Sequence, residues 1–213
     1  SRFGRIIVLT GARQTGKTTL VKHAFPDYHY ISIEDPQMRP IYNQLTAAQW
    51  QELYPKAALD EVQKEPRLIE SIKSTYDQYE DVRYILLGSS QLLLLEKVRE
   101  SLAGRCSIYE IYPLTLPEMR TESWDDEIEP SLFQQEILGH NPTYLPSFLL
   151  DADMSKKQYY FESYLSFGAY PALSDDSLND KEKQDWLNNY VRTYLERDIR
   201  DLAAFRDLDP FVK

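Results

Sequence analysis

Residues 11–18, Gly-Ala-Arg-Gln-Thr-Gly-Lys-Thr, are the part of the sequence whose residue types and spacing most directly indicate chemistry. They match the pattern G-x-x-x-x-G-K-[ST] without a gap. The glycines allow the backbone to close around phosphate oxygens with its N–H groups pointing inward. Lys17 would reach the β- and γ-phosphates of a nucleotide, and the Thr18 hydroxyl would join the shell of a Mg²⁺ ion. The residues expected to contact the nucleotide are Gly11, Ala12, Arg13, Gln14, Thr15, Gly16, Lys17, Thr18 and Thr19.

The elements around this loop decide between a phosphate cradle and a chance match on a surface turn. Residues 6–10 form a short apolar and β-branched run, which predicts a buried strand. Residues 17–25 place Leu20, Val21 and Ala24 on one face and are followed by a proline, which predicts a helix. A strand before the loop and a helix after it are the context that the motif requires. The sequence therefore predicts nucleotide binding.

Two adjacent acids, Asp60 and Glu61, end the apolar run that begins at residue 56. In P-loop ATPases the first acid lies on the Mg²⁺ side and the second can act as general base toward water. The alternative is a solvated pair at a helix start, where the helix dipole favours acids. The chain has no Asn-Lys-x-Asp motif for guanine, and small-molecule kinases do not generally need the second acid. ATP hydrolysis is the better fit, with ATP and Mg²⁺ as cofactors, Thr18 and Asp60 as metal ligands, and Lys17 and Glu61 in catalysis.

Composition limits the possible partners and the compartment. The 213 residues carry a formal net charge of −10. Direct binding of nucleic acid is therefore disfavoured, because such binding depends largely on neutralising phosphates. The single cysteine, Cys106, excludes an intramolecular disulfide and indicates an intracellular, cytoplasmic protein. No apolar run approaches the ~20 residues that span a bilayer, and the first apolar run is too short for a signal peptide.

Further apolar runs predict an α/β fold with a doubly wound parallel sheet. Strands are expected at residues 28–33, 56–61, 84–88 and 106–112, with helices between them, because parallel neighbours need crossover connections. Three regions follow from this pattern. They are a core over residues 4–113, a loop or linker over 114–155, and a mostly helical, lid-like region over 156–213, with helices near 156–167 and 181–206. The missing initial methionine and the abrupt end after a strong helix predict a chain trimmed from a longer protein.

The sequence also resembles a known family. It contains, in order, TGARQTGKTTL, LDEVQKEPRLIESIK, LLGSSQLLL, SLAGRCSIYEIYPLTLPEM, FGAYP and YVRTYLERDIRDL. This order resembles a group of prokaryotic AAA-type ATPases, the archaeal-ATPase-like proteins that often carry a C-terminal domain of unknown function. The resemblance covers most of the chain apart from residues 122–155. It implies the P-loop NTPase fold of the AAA type and an ATPase site, with a further C-terminal domain expected beyond the end of this chain.

The resemblance suggests roles for two more positions. Ser89 and Ser90 follow the expected strand at 84–88, where AAA-type ATPases keep a polar sensor near the γ-phosphate, and a hydroxyl there could position water. An ordinary helix N-cap is the alternative. Arg105 stands where AAA-type rings place an arginine finger for a neighbour's nucleotide, which would make the protein a homo-oligomer. An ordinary surface arginine, for example one paired with Glu110, is the alternative.

Three arginines near the end of the chain, Arg192, Arg197 and Arg200, could contact phosphates from a lid. They also lie four residues from acids, as in the pair Arg192 and Glu196, and such spacing favours mutual pairing on a helix surface. Surface pairing is therefore the simpler interpretation.

The functional hypothesis is a Mg²⁺-dependent ATPase that converts ATP to ADP and phosphate. The energy would move the missing C-terminal domain or an unknown protein partner. A nucleotide-gated switch with negligible turnover uses the same loop and is the first alternative. A DNA-handling ATPase is the second, and the acidic charge of this chain disfavours it.

Overall fold

The structure is a computed structural model and describes residues 4–89, 98, 100–128 and 153–195. These residues fall into two units. One contains residues 4–112 together with 189–195, and the other contains residues 113–128 together with 153–188. The residues expected to form one helical region are therefore divided between the two units at residue 189.

A five-stranded parallel sheet forms the centre of the first unit. Its strands are β1 (Ile6–Thr10), β2 (His29–Ser32), β3 (Lys56–Asp60), β4 (Arg83–Leu87) and β5 (Cys106–Glu110). Their order across the sheet is β2-β3-β4-β1-β5, and every neighbouring pair is parallel. All five strands therefore end at the same edge, which is where open α/β sheets bind ligands.

Both faces of the sheet are covered, because the central strands are apolar on both sides. Helices α2 (Arg39–Gln44), α3 (Ala47–Leu53) and α4 (Arg67–Gln78) contribute to one face, and α1 (Lys17–Ala24) lies on the other. Neighbouring strand residues alternate between these faces, as Leu59 and Ala58 do. The predicted α/β fold with a doubly wound parallel sheet is confirmed.

Helix α4 shows why the sequence folds in this way. Its buried residues Leu68, Ile69 and Ile72 recur at helical spacing and are fully shielded from solvent. Burial of each such side chain contributes about 1.5–3 kcal/mol. Trp50 of α3 is equally buried in the same cluster, and this helix starts with a capping box formed by Thr46 and Gln49. The sequence reasoning missed α2 and α3, which are only six and seven residues long.

The second unit is mainly helical where it is described. It contains α5 (Met154–Phe167) and most of α6 (Asp180–Tyr190), which continues as a π-helical turn over Val191–Leu195. Leu114 N–H donates to the Ala169 carbonyl at 2.8 Å, so the chain after β5 is fixed to the segment that follows α5. The expected helix near 156–167 is present. Residues 129–152 of the expected linker and 196–206 of the expected last helix lie outside the described residues.

Within the described ranges, no helix combines the length and the apolar character needed to cross a bilayer.

Candidate nucleotide site

The loop between β1 and α1 has the backbone geometry that its glycines predict. Gly11 has φ 134°, and a Cβ on it would lie 2.1 Å from the Ile111 carbonyl oxygen. Gly16, with φ 88°, caps the N-terminus of α1. Gln14 also has a positive φ, of 60°. The loop therefore follows a path that only glycine permits at its first position, and it leads into the positive end of a helix dipole.

Lys17 is enclosed by this loop. Its Nζ donates to the Gly11 carbonyl at 3.0 Å, to the Ala12 carbonyl at 2.6 Å and to Thr15 Oγ1 at 3.4 Å. Burial lowers the pKa of Lys17, and the nearby Glu61 carboxylate acts in the opposite direction. The ammonium group is thus fixed inside the loop at the carboxyl edge of the sheet. Of the other expected contacts, Ala12, Gln14 and Thr19 are exposed and Arg13 is half-buried.

Asp60 is the most heavily hydrogen-bonded carboxylate of the site. Its Oδ2 accepts from Thr18 Oγ1 at 2.6 Å and from the Tyr30 hydroxyl at 2.6 Å, while Oδ1 accepts from the Glu61 N–H at 2.9 Å. Burial, followed by this hydrogen bond, raises the pKa of Tyr30, so its hydroxyl keeps its proton. A hydroxyl and a carboxylate side by side are oxygen ligands of the kind that Mg²⁺ takes beside substrate phosphates. The residues present therefore fit the implied metal.

Glu61 lies beside this pair in an unusual backbone conformation. Its φ is 57° and its ψ is 37°, which places a non-glycine residue in the left-handed region. Its Oε2 accepts from Gln63 Nε2 at 2.5 Å and from Ser89 Oγ at 3.3 Å. Ser89 follows β4, the strand that lies between β1 and β3. Strand order thus brings the residue expected as a sensor to the residue expected as a base. Ser90 lies outside the described residues.

Arg105 does not join this cluster. It directly precedes β5, and the pairing of Ile6 with Cys106 puts it at the amino edge of the sheet, opposite the loop. Its guanidinium forms a two-pronged ion pair with Asp77 of α4, with Nε–Oδ1 at 2.8 Å and Nη2–Oδ2 at 3.2 Å. The suggested pairing partner Glu110 is therefore replaced by Asp77. Action of Arg105 on the nucleotide of a neighbouring subunit stays a prediction.

Besides Gln63, two residues that sequence reasoning did not single out contact the site, and one comes from the far end of the chain. The Tyr190 hydroxyl donates to the Arg13 carbonyl at 3.2 Å, and Tyr190 is buried. Tyr30 is the other. It lies on β2, diagonal to Asp60 on β3, and this neighbourhood can be recognised only when the β2–β3 register is known. Of the three possible lid arginines, Arg192 is exposed, and the other two lie outside the described residues.

Comparison with known proteins identifies the domain that contains the loop. Residues 4–120 match a family model described as an AAA domain. The chain belongs to this AAA domain family. Residues 158–213 match a second model, a domain of unknown function (DUF8612), so the chain combines an AAA-type P-loop domain with such a domain. The family resemblance is confirmed, although the sequence reasoning expected this domain beyond the end of the chain. This second match begins inside the region expected to be lid-like.

Two sequence relatives of this AAA protein are named as uncharacterized proteins. It is 24% identical to the uncharacterized protein Rv2008c of Mycobacterium tuberculosis, over 93% of this chain and 37% of the relative. It is also 24% identical to the uncharacterized protein MJ1544 of Methanocaldococcus jannaschii, over 96% of this chain and 44% of the relative. The chain thus spans about two fifths of the length of these relatives.

Among solved structures, the fold is similar to the Walker-type ATPase PABY2304 of Pyrococcus abyssi. The TM-score is 0.52 at 12% identity, with 93% of this chain and 70% of the archaeal chain covered. At this level of identity the similarity supports the fold alone, an α/β domain of the P-loop type.

Proposed function

We propose that this AAA protein is a Mg²⁺-dependent ATPase that hydrolyses ATP to ADP and phosphate. The observation that carries the proposal is the position of Glu61. Its backbone N–H donates to the Asp60 carboxylate, while its own carboxylate accepts a hydrogen bond from Ser89 and lies close enough to Lys17 to influence the pKa of that residue. Phosphate, metal and water chemistry would therefore meet at one edge of the sheet.

Each residue has a defined task in this proposal. The loop N–H groups and the Lys17 ammonium bind the β- and γ-phosphates. Thr18 and Asp60 hold Mg²⁺, which when bound neutralises charge on those phosphates. Ser89 orients the Glu61 carboxylate, which takes a proton from the attacking water. A switch without turnover would need the loop but would have no use for a carboxylate base at this position.

The contact between Tyr190 and the loop supports coupling to the C-terminal domain. Arg13, whose carbonyl accepts this hydrogen bond, lies inside the phosphate loop, and Tyr190 lies inside the matched domain of unknown function. A loop rearrangement on ATP binding or hydrolysis would therefore reach that domain, and through it a partner or a further C-terminal segment. Assembly into a homo-oligomer and a cytoplasmic location stay predictions.

Substitution of Glu61 tests the proposed activity. We expect Glu61→Gln to slow phosphate release by about 10²–10⁴-fold, because an amide cannot take the proton, and to leave ATP affinity nearly unchanged. Phosphate release and nucleotide binding are measured with and without Mg²⁺.

Glu65→Gln is the matched control, since Glu65 ends the same short helical turn. Equal turnover in wild type and Glu61→Gln would place the base elsewhere. A wild-type chain that binds ATP but releases no phosphate would favour the nucleotide-gated switch.

A further inference from the structure

Gln63 has two hydrogen-bonding atoms in the site, and the structure accounts for only one of them. Its Nε2 donates to Glu61 Oε2 at 2.5 Å. Its Oε1 is buried and accepts no hydrogen bond from any residue in the described part of the chain. A buried carbonyl oxygen is rarely left without a donor, and this one belongs to the amide that contacts Glu61, so it is a place where a donor from outside the protein could bind.

We propose that Gln63 orients the water that attacks ATP. Both atoms belong to one planar amide. The contact of Nε2 with the Glu61 carboxylate therefore also keeps Oε1 near that carboxylate. The water donates one O–H to Gln63 Oε1 and the other to the second carboxylate oxygen of Glu61. This inference rests on the proposed ATPase function and extends it by one residue.

The proposed step balances. The water oxygen forms a bond to the γ-phosphorus while the bond from that phosphorus to the β,γ-bridging oxygen breaks and leaves ADP. The proton of the attacking water passes to Glu61, and inorganic phosphate is released. Gln63 exchanges no proton and acts through the direction of its hydrogen bond to the reacting water.

The local backbone fixes Gln63 in this position. The left-handed conformation of Glu61 is followed at once by a 3-10 turn, Val62–Lys64, in which the Lys64 N–H donates to the Glu61 carbonyl at 3.0 Å. Val62 is fully buried, so it anchors the turn in the core. These constraints place the Gln63 side chain against the Glu61 carboxylate, two residues earlier in the chain. An amide suits the task because it offers a donor to the carboxylate and an acceptor to water, whereas a second acid would repel Glu61.

The same contact could instead restrain Glu61 in an inactive position, and the two interpretations predict opposite effects. If Gln63 orients water, its removal slows hydrolysis. If Gln63 restrains Glu61, its removal accelerates hydrolysis. The sign of the change in kcat therefore separates them.

The test uses Gln63→Ala and Gln63→Met, the second of which keeps the side-chain volume and lacks the amide. We expect both to lower kcat by about 10–100-fold, since misplacement of a reactant has effects of this size, with little change in KM. Affinity for ADP alone should stay unchanged. Affinity for ADP with aluminium fluoride, which mimics the transferring phosphoryl group with its in-line water, should fall by a similar factor.

Gln51→Ala is the matched control. Gln51 Nε2 donates to the Asp81 carboxylate at 3.0 Å, which is also a contact between a glutamine and a carboxylate. This contact is exposed, and Asp81 lies before β4, at the end of the strand away from the loop. A purely structural role of Gln63 would lower the melting temperature without a selective loss of the fluoride complex. Unchanged or higher turnover in both Gln63 variants, beside an active wild type, would overturn the inference alone. A wild type without turnover would overturn the proposed function and this inference with it.

Discussion

At the scale of single residues, Lys17 combines two tasks. Its ammonium group donates to two loop carbonyls and a threonine hydroxyl, so it stabilises the loop that it would also use to bind phosphate. The loop takes its shape mainly from backbone conformation, since Gly11, Gln14 and Gly16 all have positive φ. The charge of Lys17 should therefore matter more for the nucleotide than for the fold.

We expect Lys17→Ala to weaken ATP binding by roughly tenfold to a hundredfold, because hydrogen bonds to charged groups contribute about 1.5–3 kcal/mol each. The ATP-induced rise in melting temperature measures this loss. Lys22→Ala is the control, since Lys22 lies on the same helix with its Nζ 4.0 Å from the centre of the Tyr30 ring. An undiminished ATP-induced shift in Lys17→Ala would show that the loop does not bind phosphate in the expected way.

At the scale of elements, two features of the sheet assemble the site. The position of β4 between β1 and β3 brings Ser89 to Glu61. On the other side of β1, the segment after β5 approaches the loop so closely that the Ile111 carbonyl occupies the space of a Gly11 side chain. The Ile111 N–H also donates to the Thr10 carbonyl at 2.8 Å, which fixes this approach.

We expect Gly11→Ala to lower the melting temperature by about 5 °C or more, because backbone strain at such a φ costs about 1–3 kcal/mol and the new Cβ would meet a backbone oxygen. The variant should also lose the ATP-induced stabilisation. Gly104→Ala is the control, since Gly104 has φ 73° but nothing within 4 Å of the new Cβ. Equal melting temperatures for the two variants would mean that the segment after β5 does not constrain the loop.

At the scale of the whole molecule, the chain returns to the loop through the end of α6. This helix begins among the residues of the second unit and ends among those of the first, where Tyr190 contacts the Arg13 carbonyl. A π-helical turn follows immediately, over Val191–Leu195. Such turns are frequent at functional sites.

We expect Tyr190→Phe to bind ATP almost as tightly as wild type but to lose the nucleotide-dependent change in hydrogen-exchange protection over residues 189–195. The variant removes one hydrogen bond of about 0.5–1.5 kcal/mol while it keeps the buried ring. Tyr164→Phe, at an exposed position of α5, is the control. The same nucleotide-dependent protection in Tyr190→Phe and wild type would contradict coupling through this contact.

Local patterns predicted much of the fold. The strands, α1 and α4 could be predicted from the sequence, because the spacing of apolar residues and the positions of prolines determine secondary structure within a few residues. The short helices α2 and α3 could not, since most of the stability of short helices comes from tertiary packing, here around Trp50.

The loop, its lysine and the acidic pair could be predicted as a candidate site from residue types and spacing, because their chemistry depends on residues close together in the chain. Tertiary structure decided the remaining contacts. Tyr30 reaches Asp60 through the β2–β3 register, and Ser89 reaches Glu61 through the strand order. The pairing of Arg105 with Asp77 and the hydrogen bond from Tyr190 to the loop join residues 28 and 177 positions apart. The register of paired strands, the order of the strands and the contacts between residues far apart in the chain arise from packing of the whole chain. No local pattern of residues encodes them.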